Sequence, residues 1–429
     1  MWTRGSPASK LAKGVLKATT GSIAFIVGMA VFGLLSARAL GPSQRGVITL
    51  LLTWTTFSVL FGSLGLQVPA KRWLASDSTF SKPNFFGLMF HYAWITPLAA
   101  VLSFAVSIAP AAQPADRVTL FAALIAQSTL AMGAFGFREI FAGLGRIATA
   151  NWIESAGALI PVIVASLAVA GTFADPFPFI VWALPLGRLS CVIAGVVSLR
   201  LIGPLKRPVF PRARIATARR EGGYVLLVVL TQTFAEKGDR ILVGWLGSAA
   251  DLGIYTAAAT LSDAVLIVTG AVAQIALYRS ASRRNDARGQ RGLLAIAVAS
   301  AVACAFAVWL VSPFVIRFLG SGYSEAGSIL PLMLLGAVVA SAYYVVNSSL
   351  FGRGQARLAA VAPFCASAVV LVVDLILIPI IGLTGAAVTN LLGYSVLTAV
   401  ALFMSRQTRS GIFDTPGSPA VPERFGEGQ

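Results

Sequence analysis

Twelve runs of roughly twenty apolar residues, parted by short polar breaks, leave this chain few ways to fold. A helix of about 20 residues spans a hydrocarbon core of ~30 Å. Inside that core every backbone N–H and C=O must find its partner within the protein, which selects helices over open sheets. The runs lie near residues 18–40, 46–69, 84–110, 118–142, 150–173, 178–200, 222–246, 253–279, 292–316, 327–351, 358–381 and 383–405. Composition removes the soluble alternative: 57% of residues are hydrophobic and 11% charged, against about 25% charged in ordinary soluble domains. The expectation is an all-α membrane protein of about twelve transmembrane helices. The first run is too long for the apolar core of a cleavable signal peptide and reads as a retained span.

The formal charge of +17 raises the possibility of nucleic-acid binding, and the placement of that charge argues against it. Basic residues collect in alternate connections, as the positive-inside rule requires of a multi-pass protein. The N-terminal tail holds Arg4, Lys10, Lys13 and Lys17, and the central connection holds Arg200, Lys206, Arg207, Arg212, Arg214, Arg219 and Arg220 against Glu221. A later connection holds Arg279, Arg283, Arg284, Arg288 and Arg291 against Asp286. Connections on the other side carry little charge, the first, with Arg38 and Arg45, excepted. Both termini are therefore expected in the cytoplasm, as an even number of spans demands. Five regions follow: a tail at 1–17, a bundle at 18–203, a basic linker at 204–221, a bundle at 222–405 and a disordered tail at 406–429. The linker could form a short basic helix on the membrane surface, topogenic or in contact with anionic lipid.

The chain repeats itself. Leu40-Gly41 and Gly46-Val47-Ile48-Thr49 return as Leu246-Gly247 and Gly253-Ile254-Tyr255-Thr256. Gly143-Leu144-Gly145-Arg146 returns as Gly352-Arg353-Gly354-Gln355, and Leu186-Gly187 as Leu392-Gly393. All of these lie about 206–209 residues apart. The two halves are thus parallel and pseudo-symmetric, six helices each. Repeats of this kind place a substrate site between the halves near the midplane.

Charges within the spans point to that site, because each costs at least ~2.5–3.5 kcal/mol at a helix centre unless paired or hydrated. The seventh run carries Glu236, Lys237, Asp239 and Arg240; Arg188 lies in the sixth, Asp263 in the eighth and Asp374 in the eleventh. Glu236 and Arg240 are spaced to pair along one helix face. Two readings stand side by side: an ion network that locks helices together, or a hydrated cavity whose charges face a substrate. Asp374 reads as a packing or hydrogen-bonding residue. Arg138, Arg146 and Glu154 read as helix anchors or as parts of a gate. Cys191, Cys304 and Cys365 lack metal-ligand spacing and read as small buried residues. His91, the sole histidine, reads as a packed or interfacial side chain rather than a proton relay. No metal or organic cofactor is expected.

Ala37-Arg38-Ala39-Leu40-Gly41-Pro42, Asp239-Arg240-Ile241-Leu242-Val243-Gly244, and Leu377-Ile378-Pro379 with Gly382-Leu383-Thr384-Gly385 resemble the polysaccharide-biosynthesis flippases. These form the oligosaccharide-lipid branch of the superfamily that also contains the MATE drug exporters, and the likeness covers residues 15–405. It implies a V-shaped, MATE-like pair of six-helix bundles in the bacterial inner membrane. It also implies transfer of a polyprenyl-pyrophosphate-linked oligosaccharide between leaflets for surface polysaccharide, alongside glycosyltransferases and a polymerase. Arg38, Lys237 and Arg240 then become candidates for the pyrophosphate, with Arg38 equally readable as an interface anchor. Glu236, Asp239 and Asp263 could balance them, or couple transport to H⁺ or Na⁺. The peptidoglycan-precursor flippases of this superfamily resemble fourteen-helix proteins, which twelve runs do not match. A MATE-type drug antiporter is the alternative, although its cavity should be acidic. A membrane enzyme would need a catalytic constellation, and none is legible.

Overall fold

Gly41 adopts φ 72°, ψ 176°, a conformation that L side chains rarely take, and Pro42 follows it. Proline at the start of a helix sacrifices no hydrogen bond and has its φ already set. The chain therefore reverses within one residue, and α1 (Pro7–Ser63) is two membrane passes joined at a point. The last long helix, α13 (Ala356–Gln407), does the same at Ile381 and Gly382, where Gly382 has φ 59°.

The computed structural model describes residues 7–77, 79–204, 207–210, 214–281, 287–353 and 355–407, and all regular elements among them are helical. Lys206, Arg212, Arg283, Arg284, Asp286 and residues 408–429, all but the first two of the tail read above as disordered, lie outside the described residues, while Arg406 and Gln407 belong to the last helix. Short α2 (Gln67–Ser76) follows α1. The next pass is assembled from α3 (Lys82–Phe90), α4 (Ile95–Ser103), a π-helical stretch at Phe104–Ile108 and a last turn, α5 (Ala109–Ala111). Then come α6 (Arg117–Gly143), α7 (Ile147–Val169) and α8 (Phe177–Ile202). The second half holds α9 (Ile215–Leu246), α10 (Ala249–Ala281), α11 (Ala287–Leu319), α12 (Ala326–Gly352) and α13.

Nine helical segments among the described residues are long and apolar enough to cross a membrane. Two of these, in α1 and α13, are double passes, and α9 makes a further pass despite Glu236, Lys237, Asp239 and Arg240. Twelve crossings result, six in each half. The expected boundaries shift where helices continue into connections: α9 begins at Ile215, within the basic linker, and the second arm of α1 stops at Ser63 rather than 69.

In the first half α1 packs on α7, α4 and α6, and α8 packs on α6 and α7; in the second, α12 is central to α10, α11 and α13. Between the halves α1 meets α10 and α9. The largest buried apolar cluster crosses that seam, joining Ile48 and Leu51 to Leu252, Tyr255, Ala258 and Leu330. It sits where the turns at Gly41 and Gly247 lie. A second cluster (Leu66, Phe85, Met89, Ile140, Phe141) fills the first half towards its other end.

That other end is fastened by a clasp. Arg72 on α2 donates two hydrogen bonds to the Glu221 carboxylate at the start of α9, at 3.0 and 2.8 Å. Arg214 pairs with Asp77 at 2.7 Å, bonds the Thr79 hydroxyl at 2.9 Å, and lies over the Trp73 and Phe80 rings. The Val209 N–H donates to the Pro83 carbonyl at 3.0 Å, and Phe210 packs against His91. His91 is exposed, in ring contact with Tyr92 and Phe210, and the described part of the linker is strapped across α3. Hydrogen bonds from Thr79, then from Arg214, hold the Asp77 carboxyl down to about 2. Because its folded value lies below the unfolded one, the clasp gains from this group above about pH 4 and loses that gain as pH falls towards 2. Exposed pairs contribute about 0.2–1 kcal/mol each. Arg72→Glu should therefore change transport or melting only modestly, and Arg72→Glu with Glu221→Arg should restore it; a double variant worse than either single would show that the pair is not the contact that matters.

Candidate functional site

Position 46 has no room for a side chain: a Cβ there would overlap the Ala249 carbonyl. Position 253 is equally tight, against the carbonyl of Pro42. Glycine lets each backbone approach the other half. Because residues 46 and 253 are partners in the internal repeat, the contact is reciprocal and marks the pseudo-twofold axis. One turn deeper the hydroxyls of Thr49 and Thr256, again 207 residues apart, hydrogen-bond to each other at 3.2 Å. Tyr323 completes the closure, donating to the Ala37 carbonyl across the seam at 3.0 Å while buried. The halves are therefore shut together at this end.

Beneath the closure lies a cavity of about 560 Å³ between the halves. Four of the seven charges expected to serve a substrate line it: Arg188, Lys237, Arg240 and Asp263. Arg240 pairs with Asp263 at 3.0 Å, not with Glu236. Arg188 lies over the Phe25 ring. Lys237 is in no ion pair among the described residues. Towards the opposite end the Arg138–Glu154 pair, 3.4 Å apart, completes the lining charges.

The remaining three expected residues lie elsewhere. Glu236 turns into the second half, where Gln232 and the Tyr344 hydroxyl donate to it at 3.1 and 3.0 Å. Asp239 is buried there too, accepting from the Tyr255 hydroxyl and, at 3.4 Å, from Asn390. Arg38 is exposed at the closed end, its guanidinium over the Phe318 ring. The helix-seven charges are thus divided by helix geometry. Residues 237 and 240, three apart, share the cavity face, while 236 and 239 share the face turned to the second bundle.

Two features were not singled out in the sequence. Arg45 lines the cavity while only 6% exposed, lies over the Phe32 ring, and leaves Nη1 without a hydrogen-bond partner. It looked like a loop charge because the second run was started at 46; the Gly41-Pro42 pair, a one-residue turn followed by a helix start, is the signal that puts it on the helix. Thr49, Thr53 and Thr56, at i, i+4 and i+7, give that helix a hydroxyl stripe along the cavity. The lining charges are five basic (Arg45, Arg138, Arg188, Lys237, Arg240) against two acidic (Glu154, Asp263). This arrangement suits an anion carrying many hydroxyls.

Asp374, expected to be a packing or hydrogen-bonding residue, is a packed one. It is fully buried on α13 and both carboxylate oxygens lack a hydrogen-bond partner. Asp239 is close enough to repel it, and the neighbouring Thr389 hydroxyl, which could reach it, donates its proton to the Gly385 carbonyl at 3.0 Å instead. Among the described residues no cluster of three or more His, Cys, Asp or Glu has the geometry of a metal centre.

The fold is shared with solved membrane transporters. A multidrug-resistance MATE transporter of the MOP superfamily, in its inward-facing conformation, superposes with a TM-score of 0.69 at 14% identity, over 92% of this chain and 96% of that one. The lipid II flippase MurJ, in an inward closed conformation, gives 0.75 at 12% identity, over 91% and 87%. A Vibrio cholerae MATE transporter gives 0.66 at 12%, over 94% and 98%. Comparison with curated protein sequences gives no match. The sequence itself matches the family model for polysaccharide biosynthesis proteins over residues 35–296, more than half of the chain, and the chain belongs to that family.

Proposed function

We propose that this protein is a flippase that carries a polyprenyl-pyrophosphate-linked oligosaccharide across the bacterial inner membrane by alternating access. The observation that carries this reading is Arg45: a buried residue on the cavity lining whose guanidinium keeps one nitrogen without a hydrogen-bond partner. An uncompensated buried charge is costly, and a pyrophosphate compensates it through charge-assisted bonds. Arg240 and Lys237 stand on the facing helix, and the threonine stripe offers hydroxyls to sugars. With the termini in the cytoplasm, the closed end faces outward and the cavity serves the cytoplasmic leaflet. Both glycosyltransferases that build the cargo and a polymerase that consumes it would work beside such a protein.

Asp239 and Asp374 suit a coupling cation, Na⁺ or H⁺. Two buried carboxylates in one region, with Asn390, Thr389 and Tyr255 around them, call for positive charge. Arg240 is the next residue along α9 and faces the cavity. A cation that draws α9 towards α13 therefore moves the substrate-facing guanidinium with it.

The test is lipid-linked oligosaccharide analysis in a deletion strain, complemented with Arg45→Ala, Lys237→Ala or Arg240→Ala. Intermediates should accumulate, and each variant should restore at least about tenfold less transport than wild type, as the loss of one hydrogen bond to a charge costs about 1.5–3 kcal/mol. Unchanged lipid-linked glycan together with drug hypersusceptibility would instead favour the MATE-type antiporter. Full complementation by all three variants would return these charges to a structural role.

A further inference from the structure

Outside the cavity, on the lipid-facing flank of the second half, α11 carries a groove of about 690 Å³. Trp309, Leu310, Pro313 and Ile316 line it along the helix, and Gly320 lines it just past the helix end. Pro313 withholds the N–H that the Trp309 carbonyl would take in an unbroken helix; the Ser312 hydroxyl donates to it instead, at 2.8 Å. The groove ends in a polar rim. Arg317 stands at the rim with Ser321 and Ser324. On the far side of Gly320 is Arg38, whose Nη1 lies 3.4 Å from where a Cβ of residue 320 would be. Neither arginine has a carboxylate within 4 Å among the described residues, nearby Glu325 included. The groove shares no lining residue with the cavity.

An apolar trough with the Arg317 guanidinium on its lining and that of Arg38 just beyond Gly320 has the chemistry of a lipid site, with the chain along Trp309 and Pro313 and an anion at the rim. We infer that it holds one anionic glycerophospholipid from the leaflet at the closed end, its phosphate at Arg317 and Arg38. The occupant is a resident phospholipid rather than the cargo, because the groove lies outside the seam through which the halves enclose a substrate. Its position gives it a task. The 3₁₀ turn Ser321–Tyr323 lies between this groove and the closure, with Gly322 against Pro42 and Tyr323 bonded to the Ala37 carbonyl. A lipid lodged behind the turn braces the closed state.

Native mass spectrometry of the purified full chain, equilibrated with palmitoyl-oleoyl phosphatidylglycerol or the matching phosphatidylcholine, reads this directly. A cationic side chain near a membrane surface favours anionic lipid about fivefold, so wild type should retain phosphatidylglycerol at least about tenfold better. Arg317→Ala with Arg38→Ala should bring the two lipids within about twofold, and Arg317→Lys should keep most of the preference. Phosphatidylglycerol should also slow amide exchange at residues 321–326 in wild type and not in the double alanine variant. Equal retention by wild type, a preference that survives the double variant, or displacement of phosphatidylglycerol by equimolar undecaprenyl phosphate would each overturn the assignment.

Discussion

Gly46→Ala is expected to stop transport while leaving a folded, normally expressed protein. A methyl group at that position meets the Ala249 carbonyl in the closed state, and overpacking of this kind costs about 1–3 kcal/mol. A two-state equilibrium moves by about five- to 150-fold under such a bias. The closed end should therefore stand open, and spin labels placed across the turns at residues 44 and 250 should report longer distances. Gly253→Ala disturbs the same contact from the other half, against Pro42. The two substitutions should combine with less than additive effect, because the first has already separated the surfaces the second would strain. A Gly46→Ala protein that transports at the wild-type rate with unchanged label distances would show that the closure is not a gate.

The second large effect is expected at Asp374. Its carboxylate is fully buried without a hydrogen-bond partner, a state that costs about 1–3 kcal/mol or more for a charged group. Asp374→Asn should raise the melting temperature in salt-free buffer while reducing transport at least about tenfold, the trade expected where a site is held ready for a ligand. Wild-type protein should melt higher in sodium chloride than in choline chloride if Na⁺ is the coupling ion, following the usual logarithmic dependence on ligand concentration. The variant should lose that difference. If H⁺ couples instead, the salts should act alike and the difference should appear with pH. A variant that keeps the full wild-type response would remove Asp374 from ion binding.

The architecture is legible in the sequence because membrane helices advertise themselves by length. Run length gives the passes, and the recurrence at 206–209 residues gives the halves. The Thr49–Thr256 hydrogen bond is where that recurrence becomes a contact. What failed was pairing. The i, i+4 spacing joins Glu236 to Arg240 on paper, yet Arg240 finds Asp263 on α10 and Glu236 finds Tyr344 on α12. Helical periodicity says which residues share a face but not what another helix brings to it. Arg45 was misplaced for a different reason. Charge near a turn is normally solvated, and only the one-residue reversal at Gly41 carries it into the buried first turn of the next pass. Asp374 shows the limit from the other side, since an unsatisfied group is defined by what is missing around it.

Three of the connections at the closed end, the reversals at Gly41 and Gly382 and the step from the end of α9 at Leu246 to the start of α10 at Ala249, spend almost no chain outside a helix. A soluble protein approaching those three connections finds helix ends rather than a strand or a long loop to hold, and, among the described residues, irregular chain only at the short stretches 112–116, 170–176 and 320–325. On the proposed function, cargo released between such helix ends would leave sideways through lipid, and a protein that collects it would work in the plane of the membrane.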